Sequence, residues 1–210
     1  MPLRRTFQRQ PEAVRHRELI DAALACIAEL GLQGATVREV ALRAGVTQGL
    51  IRHYFLTKEK LIEAAYRHLS AEMTESVETA MGDGPARLRL ARFIRASLTP
   101  PMVDAGRLSL WAAFVSAVHT SPAVALVHAE GYASYRGHVE TLIVALFAEQ
   151  GHAITPLAAR RSSLAINAVI DGLWLELSLS ADVFDAIDVV GLAQESAAAI
   201  LSLSPDALKE

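Results

Sequence analysis

The chain of 210 residues reads as an all-α protein. Apolar residues recur at i, i+3, i+4 and i+7 along most of its length, the spacing that lays one stripe along a helix of about 3.6 residues per turn. Glycine and proline clusters punctuate those stripes at Gly31, Gly45, Gly82-Asp83-Gly84-Pro85, Thr99-Pro100-Pro101, Ser121-Pro122, Gly151 and Thr155-Pro156. No alternating β-branched run competes with them. The pattern predicts about nine helices, three of them in an N-terminal head (1–57) and the rest in a C-terminal bundle (58–210).

The first helix is expected from near Pro11 to Leu30, with Gly31 as its stop. Its apolar side includes Ile20, Ala23, Leu24, Cys26 and Ile27, so the single cysteine is expected to be a small buried side chain. One cysteine also excludes a disulfide framework and any multi-cysteine metal site. The second helix starts at Thr36, where Thr36 and Glu39 have capping-box spacing and Val37, Val40, Ala41 and Ala44 form the inner stripe. Gly45 permits the tight left-handed turn that follows, and Thr47 is placed to cap a third helix that runs to about Phe55. Two short helices joined by a glycine turn are helix-turn-helix grammar.

In the third helix, Val46, Ile51 and Phe55 can face inward, which leaves Gln48, Gly49, Arg52 and His53 outside. Gln offers a paired donor and acceptor to adenine, and Arg offers two donors to guanine, both in the major groove. Gly49 costs nearly ~1 kcal/mol of helix propensity relative to Ala, and close approach to DNA is a reason to bear that cost. Taken alone, this face is equally a solvated surface. The run spelled by Ala41, Ala44, Gly45, Val46, Thr47, Gly49, Ile51, Tyr54, Phe55, Lys58 and Leu61 resembles the DNA-binding signature of the TetR family of bacterial regulators. The resemblance implies Gln48, Arg52 and Arg38 as base readers, with Gly49 and His53 beside them. It implies backbone contacts from Thr36, Thr47 and Tyr54, and from Lys58 at the start of a fourth helix capped by Thr57. His53 can equally be a phosphate contact or a packing residue.

The fourth helix is expected to continue through Leu61, Ile62, Ala65, Leu69, Met73, Val77 and Ala80 to the Gly82–Pro85 cluster. Beyond it, a helix from Pro122 to Gln150 carries Val124, Val127, Gly131, Tyr132, Tyr135, Val139, Leu142 and Leu146 at helical spacing. The next, from Pro156, includes Leu164, Ala165, Ala168, Val169, Gly172, Leu173 and Trp174. A last one is expected over about Val189 to Leu203. Small and aliphatic faces on the last two suit close helix packing, and the family resemblance implies a homodimer through the corresponding helices.

Net charge is −3, unevenly spread. Residues 1–68 hold eleven Lys/Arg against seven Asp/Glu, and the remainder nine against sixteen. A basic head on an acidic body fits a nucleic-acid partner, and Arg4, Arg5 and Arg9 can serve as a minor-groove arm or a solvated tail. Hydrophobic residues make up 52% and mean hydropathy is +0.28. The run at 142–148 is among the longest apolar ones, far short of the ~18 residues of a spanning helix and bracketed by Glu140 and Glu149. No membrane partner is expected. The N-terminus lacks the apolar segment of a secretory signal, so the expected location is the cytoplasm.

Trp111 and Trp174 are expected near Phe114, Tyr132 and Tyr135 on neighbouring helices. The segments W-x-x-F at 111–114 and I-D-G-L-W-L at 170–175 resemble the choline-responsive, BetI-like branch of the family. Aromatic faces attract a quaternary ammonium, and Asp171 or Glu176 can add charge pairing. These aromatics can also be ordinary core. No catalytic residue, cofactor or metal is expected: the seven histidines form no H-E-x-x-H pair, and there is no G-x-S-x-G, P-loop or G-x-G-x-x-G. The expected function is thus a ligand-released repressor that binds a pseudo-palindromic operator. The rival is a helical protein-interaction or small-molecule-binding module without specific DNA binding.

Overall fold

The computed structural model describes residues 11–179 and 187–209, and among them it contains nine helices and no strand. Arg4, Arg5 and Arg9 lie outside the described residues. The chain divides into one compact unit that ends at His68 and a second that begins at Leu69.

The first unit is built from α1 (Glu12–Gly34), α2 (Val37–Arg43), α3 (Gln48–Phe55) and the opening turns of α4 (Lys58–Met81). Leu19, Ala23, Cys26 and Ile27 of α1, Val40 and Ala41 of α2, Ile51 and Phe55 of α3, and Leu61 and Ala65 of α4 form its core. Each large aliphatic or aromatic side chain removed from water in this way stabilises by ~1.5–3 kcal/mol. Helix α1 breaks at Gly31, whose φ of 68° is open to glycine, and one further turn follows.

Thr36 caps α2 by accepting from Glu39 N at 3.2 Å. The expected reciprocal half is missing, because the Thr36 N–H donates to Gly34 O at 2.7 Å instead. At the other end, Gly45 N bonds Leu42 O and Val46 N bonds Ala41 O, with Gly45 at φ 64°. This pair of crossing bonds satisfies the last carbonyls of α2 and turns the chain sharply into α3. Thr47 then caps α3 through Leu50 N at 3.3 Å. Arg43 forms a two-pronged pair with Glu29, which ties α2 to α1 and holds the Glu29 carboxyl below its usual range.

In the second unit, α5 (Ala86–Ser97), α7 (Pro122–Glu149), α8 (Pro156–Leu179) and α9 (Val189–Ile200) pack on one another. Helix α6 (Ala105–Ala117) lies against α7 and α8. Leu90, Phe93, Ile94, Val139, Ile143, Leu146, Ile166, Ile170, Ala193 and Ala197 are at its centre. Charged side chains close the helix ends. Glu149, at the end of α7, accepts the Ala86 N–H that opens α5 at 2.9 and 3.0 Å. Arg92 donates to Met81 O at 3.3 Å and to Asp83 O at 3.0 Å, where α4 stops. The last helix ends at Ile200, short of the expected Leu203, because Ser202 turns left-handed and Leu203 N bonds back to Ala198 O.

Between α3 and α4 the backbone makes a turn of only three residues. Thr57 N donates to Phe55 O at 2.6 Å, and Leu56 between them has φ 63° and ψ −54°. This geometry costs a side-chain-bearing residue on the order of 1–3 kcal/mol. The Leu56 side chain is 77% exposed and recovers little by packing. Leu56→Gly is therefore expected to raise the thermal midpoint, by an amount equivalent to about 1 kcal/mol. An unchanged or lowered midpoint in a calorimetric scan would refute the strain assignment.

Candidate nucleic-acid interface and effector site

In the first unit, Thr36, Arg38, Thr47, Gln48, Gly49, Arg52 and His53 are all exposed on α2 and α3 and at their caps. Ile51 and Phe55 are buried, so α3 has one face fixed to the core and the opposite face bare. Among the described residues, Arg38 and Arg52 have no ion-pair partner, whereas Arg43 is committed to Glu29 and Lys60 to Glu63. The two threonine caps use a lone pair, which leaves each hydroxyl hydrogen available to an acceptor. A Cβ placed on Gly49 would meet only Thr47 Oγ1, at an ordinary 3.8 Å, so nothing within the folded chain demands glycine there. His53 sits edge-on to the Tyr54 ring at 5.5 Å, and Tyr54 is half-buried near His16.

Lys58 is half-buried at the start of α4. Its Nζ donates to Leu32 O at 2.9 Å and Gln33 O at 3.3 Å, which fastens the start of α4 to the end of α1. Thr57 caps α4 as expected, through Lys60 N at 3.2 Å.

In the second unit, Trp111, Trp174 and Tyr132 come together. Trp111 of α6 and Trp174 of α8 meet edge to face, with centroids 5.3 Å apart. Trp174 is oriented by its Nε1–H, which donates to Met102 O at 2.9 Å. The Tyr132 hydroxyl interacts with both the Trp111 side chain and the Asp171 carboxylate, and burial pushes the phenol up to about 12. The Arg136 guanidinium lies 5.7 Å from the Tyr132 centroid, so one cation already uses that ring. Tyr135 packs on Phe93 at 4.7 Å and shares a 2.5 Å hydrogen bond with Ser97. Phe114 is fully buried.

Asp171 is the charged centre of this group. Burial raises its carboxyl above the usual range, while bonds from Asn167 and Tyr132 pull it back. Asn167 Nδ2 donates to Asp171 Oδ2 at 2.8 Å. Glu176, the other carboxylate considered, is exposed on α8. Asn167, Ser97 and Arg136 escaped the sequence reading. Asn167 was open to it, four residues before Asp171 and so on the same helix face. Arg136 also lines an open crevice of about 310 Å³ between α7 and α8, with Glu140, Arg160 and Ser163.

Comparison with known proteins agrees with both halves. Residues 19–65 match the family described as bacterial regulatory proteins, tetR family, and residues 86–202 match the BetI-type transcriptional repressor, C-terminal family. The HTH-type transcriptional regulator BetI of Burkholderia thailandensis is 34% identical, over 87% of this chain and 91% of that protein. A solved structure from Pseudomonas aeruginosa PAO1, designated a transcriptional regulator, has a TM-score of 0.84 at 30% identity, covering 96% of this chain and 97% of the other. Another, from Saccharomonospora viridis in complex with choline, has a TM-score of 0.70 at 19% identity, covering 88% and 94%. The exposed helix-turn-helix face, the helical body and these matches together decide against the protein-interaction module. The chain belongs to the TetR family of bacterial regulators, as a DNA-binding transcriptional repressor with a BetI-type C-terminal domain, and is not an enzyme.

Proposed function

We propose that the protein binds a pseudo-palindromic operator as a homodimer in the cytoplasm and releases it when a small cation of the choline type occupies the aromatic group around Asp171. The observation that carries the DNA half is the bare face of α3, with Gln48 and an uncommitted Arg52 exposed opposite Ile51 and Phe55. Gln48, Arg52 and Arg38 read base edges, and the hydroxyls of Thr36, Thr47 and Tyr54 bond phosphates, which position the helix. Gly49 lets the α3 backbone approach the groove, and His53 borders that contact. Lys58 Nζ spends two of its three N–H donors on carbonyls, and the third and the positive charge join the phosphate contacts at the start of α4.

The dimer reading rests on α8 and α9. By length and composition α8 is apolar enough to cross a membrane, yet only 28% of its most apolar window is buried within the chain. Leu157 is 68% exposed, Leu164 55% and Leu179 66%, with exposed Ala168 and Gly172 between them. On α9, Leu192 is exposed as well. The core-facing side of α8 carries buried Ser163 and Asn167, and half-buried Asp171 flanks the leucine face, polar groups suited to a bundle interior and not to lipid. A second copy covers such a face while placing two recognition helices on half-sites ~34–36 Å apart.

Choline accompanies the Saccharomonospora relative, and the BetI name attaches to the curated ones. In this chain, the edge-to-face tryptophans, Tyr135 and the half-buried Asp171 carboxylate supply ring quadrupoles and a counter-charge. A ligand that binds one body conformation better shifts the population toward it, and release follows when that conformation no longer matches the two half-sites.

Four measurements test this reading. Fluorescence anisotropy on DNA from upstream of the gene is expected to give steeply salt-dependent binding that choline weakens. Arg52→Ala should cost ~1–3 kcal/mol at one base position, and indifference to that substitution would overturn the base-reading assignment. Leu164→Arg is expected to shift the sedimenting species to the 22.6 kDa monomer, and an unaltered dimer would clear α8 of that role.

The fourth concerns pH. The folded Asp171 pKa is raised, so protonation favours the ligand-free fold, and that contribution fades as pH climbs from the unfolded carboxyl value through the folded one. Asp171→Asn should thus raise the ligand-free midpoint at neutral pH, at roughly 2–4 °C per kcal/mol for a chain of this size. Choline affinity should fall on acidification through that same raised range in the native protein and lose this dependence in Asp171→Asn. A pH-independent affinity in the native protein would remove Asp171 as the counter-ion.

A further inference from the structure

Among the described residues of the second unit, four polar ones are buried: Ser97, Ser163, Asn167 and Gln194. Ser97 bonds Phe93 O at 2.8 Å and Tyr135 Oη at 2.5 Å. Ser163 donates to Arg136 O at 3.1 Å, and Gln194 Nε2 donates to Ala91 O at 3.3 Å. Asn167 differs from the other three. Its side chain is 4% exposed, yet Oδ1 is shut off from water without any hydrogen-bond partner.

The orientation of that amide is fixed by its neighbour. Nδ2 donates to Asp171 Oδ2 at 2.8 Å, and the flipped amide would set its carbonyl oxygen against a carboxylate. The bonded half stays on Asp171, and both lone pairs of Oδ1 stay unanswered. The residue lies on the face of α8 that carries Ile166, Ile170 and Trp174 inward, where an aliphatic side chain would pack without this cost. Asp171 in turn meets Tyr132, which meets Trp111. The orphaned oxygen therefore belongs to the same connected group as the aromatic rings.

We infer that Asn167 Oδ1 is the acceptor that reads a hydrogen-bond donor on the bound ligand, so that the body selects an ammonium carrying a hydroxyl over one of equal charge without it. This rests on the cationic-effector reading above and adds a specificity residue to it. The division of labour is chemical. Asp171 and the rings respond to charge, which every quaternary ammonium offers. Asn167 responds to a donor, which only some of them carry. A ligand without that donor leaves Oδ1 unpaired in the closed site, and a buried acceptor without a partner weakens the complex.

The test is calorimetric titration of the full-length protein with choline and with ethyltrimethylammonium, which replaces the hydroxyl by hydrogen. Choline is expected to bind about tenfold tighter or better, a difference of about 1.4 kcal/mol per tenfold. In Asn167→Leu the two ligands should bind within about threefold of each other, because choline loses its partner and the hydroxyl-free cation does not. Equal affinities in the native protein, as expected if a bound water satisfies Oδ1, would overturn the role of Asn167 and leave the cationic site standing. A choline preference that survives in Asn167→Leu would overturn it too. Binding of neither ligand at millimolar concentration would remove the cationic reading and this inference together. Should Asn167→Leu fail to fold, the native comparison still decides.

Discussion

A carboxylate drawn out of water has to be answered by hydrogen bonds or opposite charge, since leaving it bare costs several kcal/mol. Asp171 imposes that demand on the body. Asn167 meets it from one turn earlier on α8, Tyr132 meets it from α7, and the side chain of Trp111 on α6 meets Tyr132 in turn. Three helices are thus registered against one another by a polar chain set among aliphatic contacts that would tolerate sliding. The hydrophobic core supplies most of the free energy. The polar chain supplies the alignment, and with it the convergence of the two tryptophans.

The head solves the opposite problem, which is to keep polar groups unpaired. Its cations fall into two sets. Arg43 and Lys58 are committed to Glu29 and to the carbonyls of Leu32 and Gln33, and they brace the helices. Arg38 and Arg52 are left without ion pairs on the outer surface. Solvated guanidinium groups cost the fold little and remain available to a polyanion. The bracing set makes the displayed set effective, because a recognition helix that rocked on its core would blur the geometry that base edges require.

Much of the head was legible in the sequence because its determinants are local. The caps at Thr36 and Thr47, the glycine turn and the inner stripe all act over three to seven residues, within reach of spacing arguments. Lys58 was not legible, since its acceptors are backbone carbonyls some 25 residues earlier that no side-chain pattern announces. In the body, the meeting of Trp111 with Trp174 followed from which helices neighbour one another. The pairing of Tyr135 with Ser97, 38 positions apart, and the hydrogen bond from Trp174 to Met102, 72 apart, depend on side-chain directions that only the packed bundle defines. The half-made capping box at Thr36 shows the limit of motif reasoning. Spacing permitted a reciprocal bond, and the turn at Gly34 took the donor first.

The leucine face of α8 has a consequence for the life of the polypeptide before it regulates anything. A single copy leaving the ribosome carries that face bare, next to a second apolar helix in α9. Exposed surface of this kind is what chaperones hold, what proteases sample and what draws unfolded chains into aggregates. Under the homodimer proposed above, the lifetime of a lone protomer is set by quality control, and survival depends on how soon a second copy covers the face. On that proposal, the steady level of the protein depends on encounter as well as on synthesis, and it falls more than proportionally when expression is low.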